Sequence, residues 1–257
     1  MLDFLKRRRR EAVQREPFPP EWSAIIARNV PFFGRLPEAD QEELLRHMLV
    51  FLDEKRFEGC GGLEITDEIR VTVAAQACLL LLHRETDYYP DLEVILVYPS
   101  AYRSAAPEVV EGGIVVEGGH GRLGESWSRG VVVLSWDGVL AGAADMSDGH
   151  NLVLHELAHQ LDQESGASDG APELPKDSMY AAWARVLGSE YERLIDDDAH
   201  LRRTVIDPYG ATNPAEFFAV VTEAFFEKPR QLRAKHPELY AQLQAYYQQD
   251  PAGWSGS

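Results

Sequence analysis

Apolar residues recur at helical spacing in the first third of the chain. Residues 22–29 and 37–52 carry apolar positions three and four apart, the period that places side chains on one face of an α-helix. A third segment, 67–84, is almost continuously apolar between positions 74 and 82, which is typical of a helix buried on all sides. In the second segment, the side chains expected to face the core are Leu44, Leu45, Met48 and Leu49.

The middle of the chain changes to short runs that favour β-structure. Residues 92–98 are apolar, and residues 130–136, which read GVVVLSW, form the strongest predicted strand. Pairs of glycines flank residues 114–116 and indicate a hairpin or a short pair of strands. The stretches 58–62 and 137–149 are rich in glycine and are predicted to be loops.

The last part of the chain returns to helical spacing. Ser147 or Asp148 is the predicted N-cap of the first helix there, and Asn213 is the predicted N-cap of the third, with Pro214 in its first turn. The predicted helices cover 150–163, 178–195, 214–227 and 238–249, with a polar loop at 164–176. Together these elements predict an α+β fold, in which a small mixed sheet packs with several helices.

A basic run precedes the folded part of the chain. Lys6 is followed by four arginines, and three prolines between positions 17 and 20 separate this run from the first predicted helix. Residues 1–20 are therefore predicted to be a flexible tail, and 21–257 a single domain. Within the domain we expect a helical part at about 21–86, a strand-rich middle at about 90–137 and a second helical part at about 148–250.

The overall charge limits the classes of partner. The chain has 42 acidic and 25 basic residues and a formal net charge of −17. Such a surface repels phosphate backbones, so direct binding to nucleic acid is disfavoured, whereas a peptide or protein substrate is compatible.

A cytoplasmic location is expected from three features. No apolar core follows the basic run, as a signal peptide would require. The longest apolar run, 71–82, is too short to span a membrane. Cys60 and Cys78 are too few for a disulfide framework and are predicted to be free thiols.

One motif indicates metal chemistry. His155-Glu156-Leu157-Ala158-His159 matches the pattern H-E-x-x-H within an otherwise apolar helical segment. Residues four apart lie on one face of a helix, so both imidazoles can reach one ion. Glu156 lies about 100° around the helix, where it can act as the general base of a zinc hydrolase without being a ligand.

A zinc site needs a third protein ligand, and spacing leaves several candidates open. Glu216, Glu223 and Glu227 are 7 and 4 residues apart, so they project from nearly the same face of the predicted helix 214–227. His200 is a weaker candidate, because it lies in an acidic stretch without the pattern that a metzincin requires. Tyr209, seven residues before Glu216, is a candidate donor to a developing oxyanion.

At these residues the chain resembles a known family, the Mlc titration factor A (MtfA) type zinc peptidases. The resemblance covers nearly the whole chain after the basic run. It rests on the segments 88–102 (YYPDLEVILVYPSAY), 152–162 (LVLHELAHQLD), 207–226 (DPYGATNPAEFFAVVTEAFF) and 247–251 (YQQDP).

The resemblance implies a site and an activity. It implies a zincin-like domain, similar in its core to the anthrax lethal factor metalloprotease, with one Zn2+ per chain. It makes Glu216 the third zinc ligand, beside His155 and His159, and it makes Tyr209 a catalytic residue. Glu223 becomes a residue behind the ligands that orients a histidine. The family implies aminopeptidase activity, and also binding to a transcription repressor of the Mlc type, which regulates the sugar phosphotransferase system.

Three functional hypotheses follow. The first is a peptidase, in which an extended peptide pairs with the predicted strand 130–136. The second is a regulatory protein that titrates a repressor, with a latent or vestigial zinc site. The intact Glu156 argues against a vestigial site, because a structural zinc ion does not need a base. The third is a zinc hydrolase of non-peptide substrates.

Overall fold

The computed structural model describes residues 2–100, 108–110, 114–116 and 130–254. The helices are α1 (Leu2–Val13), α2 (Pro20–Asn29), α3 (Glu38–Glu54), α4 (Asp67–Leu79), α5 (Trp136–Ala144), α6 (Leu152–Gln163), α7 (Tyr180–Ala199), α8 (Pro214–Glu227), α9 (Pro229–Lys235) and α10 (Pro237–Tyr247). The strands are β1 (Arg56–Gly59), β2 (Val94–Tyr98), β3 (Glu108–Val110), β4 (Ile114–Val116) and β5 (Val131–Ser135). Short 3-10 helices cover Pro31–Arg35, Asp177–Met179, Pro208–Ala211 and Pro251–Gly253.

Three parallel strands form the main sheet, with β2 between β1 and β5. In its register, Ile95 lies opposite Phe57 on one side and Val132 on the other. β3 and β4 pair antiparallel with each other in a separate sheet. The prediction of a mixed sheet is therefore wrong, because all three strands of the main sheet run parallel. α4 connects β1 to β2, and a crossover of this kind brings the strands together in parallel.

Two elements lie where the sequence predicts loops. β1 falls partly within 58–62; it has one apolar side chain, Phe57, and lies at the sheet edge, so it lacks the pattern of a buried strand. α5 covers residues 137–144 of the glycine-rich stretch 137–149. Gly142 interrupts its apolar pattern, and a Cβ on this residue would lie 3.0 Å from Cγ of Asn151. The glycine thus allows close packing of α5 against the start of α6.

The basic N-terminus also differs from the prediction. Residues 2–13 form α1, whereas the sequence predicts a flexible tail over residues 1–20. Arg10 donates two hydrogen bonds to Glu54, at 2.7 and 2.8 Å, and two to Asp87, at 2.5 Å to the carboxylate and 2.9 Å to the carbonyl oxygen. The guanidinium carbon of Arg10 also lies 4.6 Å from the centroid of the Tyr88 ring, a cation–π contact. A run of arginines predicts a positively charged segment. It does not show that this segment forms ion pairs with acidic residues more than forty positions away in the sequence.

The helices that carry the H-E-x-x-H motif and the three candidate glutamates pack against each other in the core. α8 has the predicted bounds, and Asn213 caps it by accepting a hydrogen bond from the amide of Glu216 at 2.9 Å. α6 begins two residues later than predicted, and the predicted caps Ser147 and Asp148 are wrong. Asn151 is the N-cap, because its Oδ1 accepts from the amide of Leu154 at 3.0 Å.

The other helical predictions are confirmed with shifted ends. α4 ends at Leu79 rather than at the predicted position 84. His83 has a left-handed φ of 63°, which is not a helical conformation. Of the side chains predicted to be buried on α3, Leu45 remains half-exposed. Cys60 and Cys78 are free thiols, as predicted. Within the described ranges, no helix combines the length and the apolar character that crossing a membrane requires.

Candidate metal centre

Three donor atoms from α6 and α8 converge. The Nε2 atoms of His155 and His159 lie 3.3 Å apart. Oε2 of Glu216 lies 3.0 Å from the first and 3.4 Å from the second. A tetrahedral ion with bonds of about 2.0–2.1 Å requires its ligands to stand about 3.3 Å from one another. The three residues therefore fit a zinc ion in both donor type and spacing.

Local sequence explains how these side chains meet. His155 and His159 are one turn apart on α6, and Asn151 fixes the first turn of that helix. Glu216 lies in the first turn of α8, whose start is fixed by Asn213 and by the proline that follows it. Both helix ends are thus set by side-chain caps, which limits fraying where the ligands lie.

Glu223 lies one layer behind the donor atoms. Its Oε1 is 2.7 Å from Nδ1 of His155, and its Oε2 accepts a hydrogen bond of 2.5 Å from the amide of Asn151. The carboxylate therefore joins the first histidine to the N-cap of its own helix. A proton on Nδ1 that is donated to Glu223 leaves Nε2 free to face an ion.

The electrostatics of the site favour a positive charge at the donor atoms. Burial opposes the imidazolium form of His155, but hydrogen bonds to Glu216 and Glu223 outweigh it and raise the pKa of His155 to about 10. Burial likewise opposes the Glu216 carboxylate, yet hydrogen bonds from both histidines hold its pKa far below the usual range. A proton occupies the place that a divalent cation can take.

Glu156 is buried beside these charges. Glu156 is 9% exposed, and its carboxylate interacts electrostatically with His155, His159 and Glu216. Burial raises the pKa of Glu156, while the two histidines of the motif oppose that shift. A carboxylate with a raised pKa is better suited to accept a proton near neutral pH than an exposed one.

Tyr209 contacts the same group of residues. It lies in the 3-10 helix before α8, where Asp207 accepts a hydrogen bond from its amide at 2.7 Å. Its ring centroid is 6.0 Å from that of His155, and its hydroxyl is hydrogen-bonded to Glu216. Burial and the Glu216 carboxylate raise the pKa of the phenol, which therefore stays protonated and can donate.

The remaining candidates lie elsewhere. Glu227 is one turn beyond Glu223 and is 4% exposed; burial, together with the nearby charge of Glu223, raises its pKa to about 9. His200 is exposed at the end of α7, where Nδ1 contacts the carbonyl of Asp196 at 2.7 Å. Neither side chain is grouped with the donor atoms of the α6–α8 site.

A second group of possible ligands among the described residues is formed by Asp40, Glu43 and His83. Nε2 of His83 is 3.3 Å from Asp40, and its Nδ1 is 3.2 Å from Glu43. Each ring nitrogen thus faces a different carboxylate. Both ring nitrogens are thus in polar contact with carboxylates, whereas a ligand directs a ring lone pair at an ion. We therefore assign the candidate metal centre to α6 and α8.

Sequence reasoning missed the role of Asn151. Its position directly before an apolar helical run was a signal for a cap, but two other polar residues just upstream offered the same signal. Its side-chain amide also donates to the carbonyl of Gly142 at 3.1 Å, and this contact depends on α5, which the sequence did not predict.

Comparison with known proteins identifies the family. An uncharacterized protein of Synechocystis sp. is 42% identical over 249 residues, which cover 96% of this chain and 90% of that protein. Mlc titration factor A of Yersinia pestis is 32% identical over 234 residues, covering 90% of this chain and 85% of that protein, and the Yersinia pseudotuberculosis protein gives the same values. The family profile of the glucose-regulated metallo-peptidase M90 matches residues 4–248, and the chain belongs to this family.

Proposed function

We propose that the protein is a zinc-dependent metallopeptidase with a zincin-like site, and that it acts as an aminopeptidase on peptide substrates in the cytoplasm. The observation that carries the proposal is the convergence of Nε2 of His155, Nε2 of His159 and Oε2 of Glu216 within 3.4 Å of one another. Two imidazoles and one carboxylate are a donor set typical of catalytic zinc, which leaves one position open.

The protein's own residues have distinct parts in the proposed reaction. A zinc ion held by His155, His159 and Glu216 would supply a Lewis acid and would lower the pKa of a water molecule to about 7. Glu156 accepts the proton of the attacking water and returns it to the leaving amine. Tyr209 donates a hydrogen bond to the oxyanion that develops on the scissile carbonyl. Glu223 keeps the His155 ring in the orientation that the ligand needs.

The sheet offers a surface for the substrate backbone. β5 pairs with β2 on one side, and among the described strands none pairs with its other side. β5 also contacts α6, the helix of the H-E-x-x-H motif. An extended peptide can add to such an edge through main-chain hydrogen bonds. A complex with a peptide analogue should show these contacts along Val131–Ser135, and their absence would remove this part of the proposal.

The experiment for the peptidase is turnover of a panel of amino-acid anilides. Glu156→Gln keeps the size of the side chain and removes its basicity, so turnover should fall by about 10²–10⁴-fold at equal zinc content. Tyr209→Phe should lower turnover with zinc content unchanged. Equal turnover of the wild type and the Glu156 variant would exclude Glu156 as the base.

A regulatory function is a second candidate, because relatives from two Yersinia species carry the name Mlc titration factor A. On this hypothesis the chain binds a transcription repressor of the Mlc type and the zinc site is latent or vestigial. If both functions coexist, Glu156→Gln should leave binding to a purified repressor unchanged while hydrolysis is lost. Loss of both would contradict two separate functions, and zinc binding without turnover in the wild type would favour the regulatory one.

A further inference from the structure

The loop between α6 and the 3-10 helix at Asp177–Met179 contacts both helices that carry the candidate ligands. At its centre, the amide of Gly170 donates a hydrogen bond of 2.9 Å to Oδ2 of Asp162. Asp162 lies on α6, three residues after His159, and is completely buried. This contact ties the loop to the helix that carries the two histidines.

The same glycine touches the other ligand helix. Gly170 has a left-handed φ of 77°, and a Cβ on it would lie 2.5 Å from the carbonyl oxygen of Pro214. Ordinary contact begins at 3.4 Å, so an added methyl group would be about 0.9 Å too close. Pro214 is the first residue of α8 and precedes Glu216 by two positions. Gly170 therefore lies directly between α6 and the start of α8.

A third contact fixes the glycine from α7. Nε1 of Trp183 donates a hydrogen bond of 3.0 Å to the carbonyl oxygen of Gly170. Trp183 is 2% exposed, and its ring packs against Phe218 of α8 with centroids 5.9 Å apart. Both polar groups of the Gly170 backbone thus have buried partners, so the glycine has little freedom to move away if a side chain is added.

We propose that Asp162 and Gly170 are positioning residues that set the distance between α6 and the first turn of α8, and hence the spacing of the metal ligands. This inference rests on the proposed function, since it assumes that the three ligands bind an ion. Ligand distances in a metal site are expected within about 0.2 Å of their standard values. A displacement approaching 0.9 Å at Pro214, or half of that, is larger than this range, and Glu216 lies only two residues further along α8.

The chain provides a matched control in the same loop. Gly166 also has a left-handed φ, of 89°, but no atom lies within 4 Å of the position of its Cβ. Gly166→Ala and Gly170→Ala therefore carry the same type of backbone penalty. They differ in that only the second drives a methyl group against α8. Any effect specific to Gly170→Ala reports that contact.

The experiment measures the zinc dissociation constant of the full chain by competition with a chelator. We expect Gly166→Ala to stay within about twofold of the wild type and Gly170→Ala to bind at least about tenfold more weakly, with a changed visible spectrum of the Co2+ form. Equal affinities of the two glycine variants would overturn the proposal. A wild type that binds no zinc would instead remove the proposed function, so the two failures are distinguishable.

A second pair of variants tests the hydrogen bond and does not depend on Gly170→Ala folding. Asp162→Asn retains an oxygen that can accept from the Gly170 amide, whereas Asp162→Ala does not. The asparagine variant should keep zinc affinity within about threefold of the wild type, and the alanine variant should lose at least about tenfold. Equal affinity of the two Asp162 variants, whether both retain it or both lose it, would contradict a role through this hydrogen bond.

Discussion

Replacing Glu223 by glutamine should weaken metal binding without touching a ligand. The carboxylate has two oxygens and meets two donors, Nδ1–H of His155 and the amide of Asn151. Glutamine offers a single oxygen, and its NH2 group must face one of the two donors. If it faces the imidazole, the ring is driven to the tautomer with a proton on Nε2, where the ion should bind. If it faces the helix N-cap, a buried amide loses its acceptor.

The size of the effect follows from these contacts. A hydrogen bond that involves a charged group contributes about 1.5–3 kcal/mol. Loss of the group that orients a metal-bound histidine weakens metal affinity by about 10–100-fold, which corresponds to about 1.4–2.8 kcal/mol. The two values agree, so we expect the zinc dissociation constant of Glu223→Gln to rise by one to two orders of magnitude.

The assay is competition for zinc between the protein and a chromogenic chelator. Glu227→Gln is the control, because Glu227 is buried on the same helix one turn away and its pKa of about 9 leaves it neutral at pH 7. Glutamine there replaces one neutral side chain by another of similar shape, so zinc affinity should change by less than about threefold. An unchanged affinity for Glu223→Gln, or an equal loss in both variants, would refute the reasoning.

Three further predictions concern the site and its supports. Because the pKa of His155 is raised to about 10, zinc must displace a proton below that pH; affinity should rise about tenfold per pH unit between about pH 7 and 9, and calorimetry in two buffers at pH 7 should detect about one proton released per zinc. Zinc binding without proton release would contradict the shift. Asn151→Ala removes the N-cap of α6 and should lower the free energy of unfolding by about 1–2 kcal/mol, measured by urea denaturation of the metal-free protein; no change would rule out the cap. Arg10→Ala breaks paired hydrogen bonds to Glu54 and should cost about 1–3 kcal/mol, whereas Arg7→Ala, with its side chain 82% exposed, should cost less than about 0.5 kcal/mol. Equal effects of the two arginine variants would show that α1 is not held by these bonds.

The sequence was most informative where local signals agreed. α8 combines a capping asparagine, a proline in the first turn and an unbroken apolar pattern, and its predicted bounds match those of the structure. α5 and β1 were missed because glycine obscured the first and the second has one apolar residue. α1 was not predicted, because its contacts include ion pairs with distant residues, which no local pattern reveals.

The candidate site was predictable only in part, because local patterns do not show which distant residues meet in the fold. The motif placed His155 and His159 on one helical face, but spacing could not choose among three glutamates on α8. The family resemblance made that choice, and the fold places Glu216 at the histidines with Glu223 behind them. The contacts of Gly170 were beyond sequence reasoning, because they arise only when the loop, α6 and α8 are packed together. Binding of an ion by these ligands and the catalytic parts of Glu156 and Tyr209 stay predictions.

The central claim is that one zinc ion binds between α6 and α8. The most direct test is a crystal structure of the zinc-loaded protein, with anomalous scattering recorded on both sides of the zinc absorption edge. The account predicts one strong anomalous peak about 2.0–2.2 Å from Nε2 of His155, Nε2 of His159 and a carboxylate oxygen of Glu216. No peak at this position, or a peak only at Asp40, Glu43 and His83, would contradict it.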